Sequence, residues 1–235
     1  MNNPIICAID TPDIQRAEEL AIALKGQVGA IKLGLEFFTA HGRPGVQIVA
    51  AHQIPIFLDL KFHDIPNTVA GAIRATAGIP SFMMTVHTAG GKDMLKAAAE
   101  ASMEHASITG KERPLIVGVT MLTSMDDNDL ESIGVNHEME DQVKRLADLA
   151  QTSGLDGVVC SPKEIAMLRE QCGEEFTLVV PGIRPTGSAS GDQKRVMTPK
   201  EAMGQGATHM VIGRPITAAK NPVLEAKGIL GSIAA

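Results

Sequence analysis

Asp59-Leu60-Lys61-Phe62-His63-Asp64-Ile65-Pro66-Asn67-Thr68 follows an apolar run at 54–58 and leads into a proline suited to the first turn of a helix. A short hydrophobic strand ends in charge, and a helix begins: this is one βα unit. Residues 59 and 61 are two apart. On a strand, a carboxylate and an ammonium at that spacing face the same side and hold each other ionised.

The same unit recurs on either side of this stretch. Apolar, β-branched runs at 5–9, 30–33, 54–58, 82–86, 115–120, 157–160, 177–180 and 209–212 are short and mostly continuous in hydrophobicity. That is the pattern of strands buried on both faces. Between them lie amphipathic stretches. Residues 13–24 put Ile14, Ala17, Leu20, Ala21 and Leu24 on one helical face, and 138–152 do the same with Val143, Leu146, Ala147 and Ala150. Pro162, with Ser161 as its cap, and Pro199, after Thr198, open two more helices. Eight strands alternating with helices predict a closed parallel (β/α)8 TIM barrel, with residues 1–235 forming one domain. An open doubly wound sheet needs a glycine-rich turn after its first strand, and Asp10-Thr11-Pro12-Asp13 is not one. The small-residue stretch 186–191, after the seventh strand, is where a lid would lie.

Bulk properties narrow the function. The chain is 44% hydrophobic and 20% charged, ordinary for a soluble globular enzyme. A formal net charge of −6 argues against general affinity for nucleic acid, while a local cationic pocket for a small anion stays open. Met1-Asn2-Asn3-Pro4 leads straight into the first run, and no apolar run approaches the roughly 20 residues needed to span a bilayer. No signal peptide, no membrane contact and a cytoplasmic location are therefore expected. Cys7, Cys160 and Cys172 sit at unrelated spacings and read as reduced structural thiols. The seven histidines lack H-x-x-x-H or Cys-His spacing, so no metal site is expected.

Most of the apolar runs end in a polar group. Asp10 follows the first, Lys32 lies in the second, and Asp59 and Lys61 follow the third. His87 follows the fourth, Thr123 the fifth, Arg184 the seventh and Gly213-Arg214 the eighth. In a barrel these ends all open on the C-terminal face, where active sites form. Scattered surface charge is the plainer alternative, but charges inside apolar strands are costly unless paired. Lys32, Asp59, Lys61 and Asp64 alternate in sign. Such an array keeps each ammonium protonated, so a lysine can donate a proton rather than attack as an amine. The same four residues also fit a salt-bridge network closing the barrel top. The segments 181–185 and 211–215 follow the seventh and eighth strands, the usual phosphate position of this fold. Gly213 lets backbone approach a phosphate, the helix after Pro215 adds a favourable dipole, and Arg214 matches the anion bidentately. Taken alone, Gly213-Arg214 also reads as a turn with a surface arginine.

These residues resemble the orotidine 5′-phosphate decarboxylase family, in its shorter bacterial form. The resemblance is carried by Asp59 to Thr68, by Ala8-Ile9-Asp10, Ile31-Lys32-Leu33-Gly34, Val119-Thr120-Met121-Leu122-Thr123-Ser124 and Pro181-Gly182-Ile183-Arg184, by the stretch 191–199 containing Gln193, and by Val211-Ile212-Gly213-Arg214. It implies conversion of orotidine 5′-monophosphate to uridine 5′-monophosphate and carbon dioxide, the last step of de novo pyrimidine nucleotide synthesis, without metal or organic cofactor. Lys61 would protonate C6, flanked by Asp59 and Asp64, with Lys32 completing the array. Asp10 and Lys32 would bind ribose hydroxyls. Asp64, Ile65 and Thr68 would reach the neighbouring site of a homodimer, Asp64 and Thr68 there assisting with the ribose. Thr123 would hold the pyrimidine edge. Arg184, Gln193, the Gly213 backbone and Arg214 would grip the phosphate, and the loop at 187–193 would close over it. His63 and His87 read as loop and barrel-top residues rather than general bases. A magnesium-dependent sugar-phosphate decarboxylase or aldolase of the same superfamily is a rival. It shares Asp-x-Lys-x-x-Asp but expects a carboxylate ligand where this chain has Lys32. A non-catalytic phosphate-binding barrel is the other.

Overall fold

The apolar runs pair in sequence order into a closed parallel barrel, β1 to β8, with β8 returning to β1. The computed structural model describes residues 3–110, 112–185 and 197–234. The strands are β1 (Ile5–Ile9), β2 (Ala30–Gly34), β3 (Ile56–Phe62), β4 (Ser81–His87), β5 (Leu115–Val119), β6 (Gly157–Val159), β7 (Thr177–Val180) and β8 (His209–Ile212). The helices between and after them are α1 (Ile14–Leu24), α2 (Leu35–Ala50), α3 (Pro66–Ala75), α4 (Lys92–Thr109), α5 (Asp127–Ser132), α6 (Met139–Thr152), α7 (Ile165–Cys172), α8 (Pro199–Gly204), α9 (Arg214–Thr217) and α10 (Pro222–Ala234).

The helix starts follow from their caps. The Asp13 carboxylate accepts the Gln15 and Arg16 N–H groups and opens α1. Thr198 and Glu201 form a reciprocal capping box ahead of α8, with Pro199 in its first turn. Ser161 and Glu164 make the same box, but Pro162 opens a single 3-10 turn that precedes α7 rather than the helix itself. The third strand differs most from expectation. It starts at Ile56, because Pro55 has no N–H to give a ladder, and it runs on to Phe62, so Asp59 and Lys61 lie inside it rather than after it.

Two apolar layers result. The barrel interior is filled by Ile6, Ala8, Ala30, Phe57, Met83, Val117, Val179 and Val211. A larger layer between sheet and helices includes Ile5, Ile31 and Leu58 against residues such as Leu20, Val46 and Ile73. Fully burying each large side chain contributes about 1.5–3 kcal/mol. The interior layer positions the site. Two residues beyond Ala8, Ala30, Phe57 and Met83 on their strands come Asp10, Lys32, Asp59 and Thr85. The inward column of several strands thus turns from apolar to polar near the C-terminal mouth.

Candidate active site

At that mouth the charges alternate within bonding distance. The Lys32 ammonium lies 3.1 Å from Asp10 Oδ1 and 3.4 Å from Asp59 Oδ2. The Lys61 ammonium lies 2.8 Å from Asp59 Oδ1. The side chains of Lys32 and Asp59 are each 12% exposed. At an effective dielectric near 20, each such contact is worth roughly 5–6 kcal/mol, while burial costs several kcal/mol per ion. One partner roughly breaks even. Lys32 and Asp59 each have two, which tips the balance towards ionisation. Burial alone would raise the Asp59 carboxyl, but the charges of Lys32 and Lys61 and hydrogen bonds from Lys61 and Thr85 outweigh it and hold it below the usual carboxylate range. Burial would lower Lys32, but Asp59 and Asp10 hold it above the usual lysine range.

Lys61 reaches Asp59 by a route that simple alternation does not describe. Leu58 pairs with Met84 and Phe62 with Val86, so three residues of β3 stand against the single Thr85 of β4. Lys61 absorbs this irregularity at φ 51°, in the left-handed region. For a residue with a Cβ this costs about 1–2 kcal/mol. Its N–H finds the Thr85 hydroxyl at 2.8 Å, and that hydroxyl donates to Asp59 Oδ1 at 2.9 Å. Thr85 is fully buried.

The array forms one wall of a cavity of about 530 Å³. Asp10, Lys32, Asp59 and Lys61 line it from β1 to β3, and Thr123, Arg184, Gly213 and Arg214 line it from the loops after β5, β7 and β8. Arg184 is tethered by its N–H to the Met197 carbonyl at 2.9 Å. The α9 helix starts at Arg214, a residue before Pro215, and has only 4 residues, so its dipole adds less than a full helix would. Apolar surface from Phe57, Met121 and Leu122 completes much of the remainder.

Three expected residues stand elsewhere. Asp64, Ile65 and Thr68, at the entry to α3, are exposed and do not line this cavity. The Asp64 carboxylate accepts the Ile65 N–H, and the Ile65 side chain projects into solvent. Within one chain the alternation therefore runs Asp10, Lys32, Asp59, Lys61, with Asp64 apart from it. Gln193 and the loop at 187–193 lie outside the described residues. The His63 and His87 rings meet at a tilt of 36° with centroids 5.3 Å apart, beside the cavity rather than in its wall. Burial, with His63 and Lys61 nearby, pushes His87 below its usual range.

Two residues escaped the sequence reading. Thr85 sits in a run that reads as plain strand; its signal is its inward register, two beyond Met83. Gly34 is the other. A Cβ there would come 3.1 Å from the Lys32 ammonium and 3.5 Å from Asp10 Oδ1, so the missing side chain leaves room for that pair.

Comparison with known proteins adds an independent line. The family described as "Orotidine 5'-phosphate decarboxylase / HUMPS family" matches residues 3–229. The orotidine 5′-phosphate decarboxylase of Moorella thermoacetica is 52% identical over 230 residues, covering 97% of this chain and 91% of that protein. That of Rhodospirillum rubrum is 51% identical over 232 residues, covering 98% and 94%. The crystal structure of orotidine 5′-phosphate decarboxylase from Lactobacillus acidophilus matches with a TM-score of 0.88 at 35% identity, covering 100% of both chains. From its sequence, its barrel and these relatives, the chain belongs to the orotidine 5′-phosphate decarboxylase / HUMPS family.

Proposed function

We propose that this chain is a carboxy-lyase that converts orotidine 5′-monophosphate to uridine 5′-monophosphate and carbon dioxide, closing de novo pyrimidine nucleotide synthesis. The observation that carries the mechanism is the Lys61 ammonium, 2.8 Å from Asp59 in a charged wall facing the cavity. In this reading the phosphate lies at Arg184, the Gly213 backbone and Arg214, with Gln193 assisting. The ribose hydroxyls meet Asp10 and Lys32, and Thr123 holds the pyrimidine edge. The bond from C6 to the carboxylate breaks, carbon dioxide leaves, and the electron pair stays on C6. That carbon takes a proton from Lys61 Nζ, and solvent returns one to the amine.

Magnitudes decide which effect dominates. The carbanion at C6 has no adjacent electron sink, so the barrier reduction required is on the order of 20 kcal/mol. A carboxylate about 4 Å from the substrate carboxylate repels it by roughly 4 kcal/mol at an effective dielectric near 20. Repulsion by Asp59 is therefore a minor contributor. Stabilisation of developing charge by Lys61, in a site where binding of the remote phosphate excludes water, carries most of the effect.

The proposal extends to the assembly. A single barrel domain pairs with a second copy, so that Asp64, Ile65 and Thr68 of each complete the other's ribose site. The enzyme acts in the cytoplasm on a free nucleotide, apart from nucleic acid and membranes. Among the described residues no helix is long and apolar enough to cross a membrane. The reaction needs no metal or organic cofactor. The magnesium-dependent sugar-phosphate alternative is less favoured because the Lys32 ammonium stands 3.4 Å from Asp59, where a cation and its carboxylate ligand would have to fit. A spectroscopic assay of orotidine 5′-monophosphate loss, run with and without EDTA, tests both. Turnover that survives chelation is expected. Nucleotide binding without turnover rejects the enzyme, and turnover abolished by chelation rejects cofactor independence.

A further inference from the structure

We infer that Thr85, which lies behind the cavity wall rather than in it, is a positioning residue for the proton donor. The inference rests on the decarboxylase reading above and adds a role to it.

The argument starts from the backbone. A regular parallel ladder satisfies each strand N–H from its neighbour, but the three-against-one register at residues 59–61 breaks that supply. A buried N–H left unpaired is costly, so the Lys61 N–H needs a substitute acceptor. The Thr85 hydroxyl is that acceptor at 2.8 Å, and its own proton goes to Asp59 Oδ1 at 2.9 Å. The same Asp59 oxygen accepts from Lys61 Nζ at 2.8 Å. The bonds close a ring from the Lys61 N–H through the Thr85 hydroxyl and the Asp59 carboxylate to the Lys61 ammonium. Both ends of the lysine are thereby referred to one fixed atom. The hydroxyl is fully buried on the sheet and has a single rotor, so its donor and acceptor directions are both committed.

Three features separate this from ordinary core filling. A valine would fit the same β-branched volume and cannot form the ring. The bonds converge on the residue with the left-handed φ of 51°, the conformation that most needs support. And the hydroxyl adds a hydrogen bond to a carboxylate that already faces Lys32 and Lys61, which keeps it charged and oriented.

The test uses the full chain and begins with wild-type turnover. If the unaltered protein does not decarboxylate orotidine 5′-monophosphate, the decarboxylase reading fails, whatever Thr85 does. Given turnover, Thr85→Val should lower kcat by about 10- to 100-fold, the loss of one charge-assisted hydrogen bond. KM and product binding should stay within about threefold, because no phosphate or ribose contact is touched. The acid limb of the kcat profile should move to higher pH, because Asp59 loses a bond that favours its charged form. Thr85→Ser keeps the hydroxyl and should stay within about threefold of wild type by the same reasoning. A serine variant falling as far as valine, a valine variant matching wild type, or a loss confined to KM overturns the inference. If the valine variant does not fold, Thr85→Ala replaces it in the same comparison. If neither folds, the hydroxyl is structural and the positioning role is rejected.

Discussion

The two ends of the barrel both carry charge at least partly withdrawn from solvent, and they use it differently. At the N-terminal end Arg113 grips Asp156 bidentately at 2.8 and 2.6 Å, and Asp156 also accepts the Ile116 N–H at 2.8 Å. Arg169 spreads its guanidinium over the carbonyls of Gly173, Glu174, Phe176 and Gly206 and the Thr208 hydroxyl. These groups tie strand entries together and take no part in the wall of the C-terminal cavity. At the C-terminal end the charges alternate along an open wall, and Lys61 presents its ammonium to about 530 Å³ of space. A charged pair therefore marks a candidate site here through unspent bonding capacity aimed at a cavity, rather than through burial or pairing alone.

Breaking the C-terminal end should abolish chemistry; breaking the N-terminal end should only loosen the fold. The largest effect is expected for Lys61→Ala, with kcat reduced by about a thousandfold or more while uridine 5′-monophosphate still binds, since proton donation and charge stabilisation leave together. A kcat within tenfold of wild type would falsify the proton-donor role. Asp59→Asn should come next. It leaves the Lys32 ammonium buried with one exposed partner, so about 3 kcal/mol of unfolding free energy should go along with most activity. Its counterpart Asp156→Asn should cost about 1–2 kcal/mol and leave kcat intact, because Arg113 can turn to solvent. Denaturant titration beside turnover measures both, and equal loss of activity in the two variants would erase the contrast between the ends. Arg214→Ala should raise KM for the phosphorylated substrate by about 10- to 100-fold, the worth of a charge-assisted bidentate contact. Unphosphorylated orotidine should be nearly indifferent to it, and equal loss on both compounds removes Arg214 from the phosphate site.

The smallest expected effect is one of pH. His209 opens β8 in the barrel interior, edge-on to Phe82, and burial pushes it down to about 4. The usual histidine value is about 6.5, so between these two values the unfolded chain binds a proton that the folded chain refuses. Stability should fall as pH drops through that window. His209→Leu should flatten the slope there without changing kcat. Asp59 works in a separate, more acid window: its depressed carboxyl stabilises the fold above the usual carboxylate range and loses that contribution as pH falls through the lower folded value. A variant that keeps the wild-type slope between about 6.5 and 4 would show that His209 is not its source.

Much of the barrel was legible because parallel strands covered on both faces must be apolar throughout, and runs such as 177–180 and 209–212 have the observed bounds of β7 and β8. The extension of β3 was not, because Asp59 and Lys61 look like the end of a strand when only hydrophobicity is read. The α5 helix escaped because its 6 residues bury only Leu130, too little for a periodic signal. Eight of the expected site residues share the cavity wall, and their chemistry was visible as polar groups ending apolar runs. Thr85 and Gly34 were hidden for a different reason. Their parts depend on partners across strands, Lys61 and Asp59 for Thr85 and Asp10 for Gly34, which one strand's sequence does not contain.

The left-handed backbone at Lys61 has a thermal consequence. A barrel held about 1–2 kcal/mol above its relaxed shape at one peptide yields some heat resistance to keep an amine in place. Glycine at that position would release the tension and silence the enzyme, and the relief should offset part of the stability lost with the Lys61–Asp59 ion pair. Backbone relaxation and activity would then pull in opposite directions at a single residue.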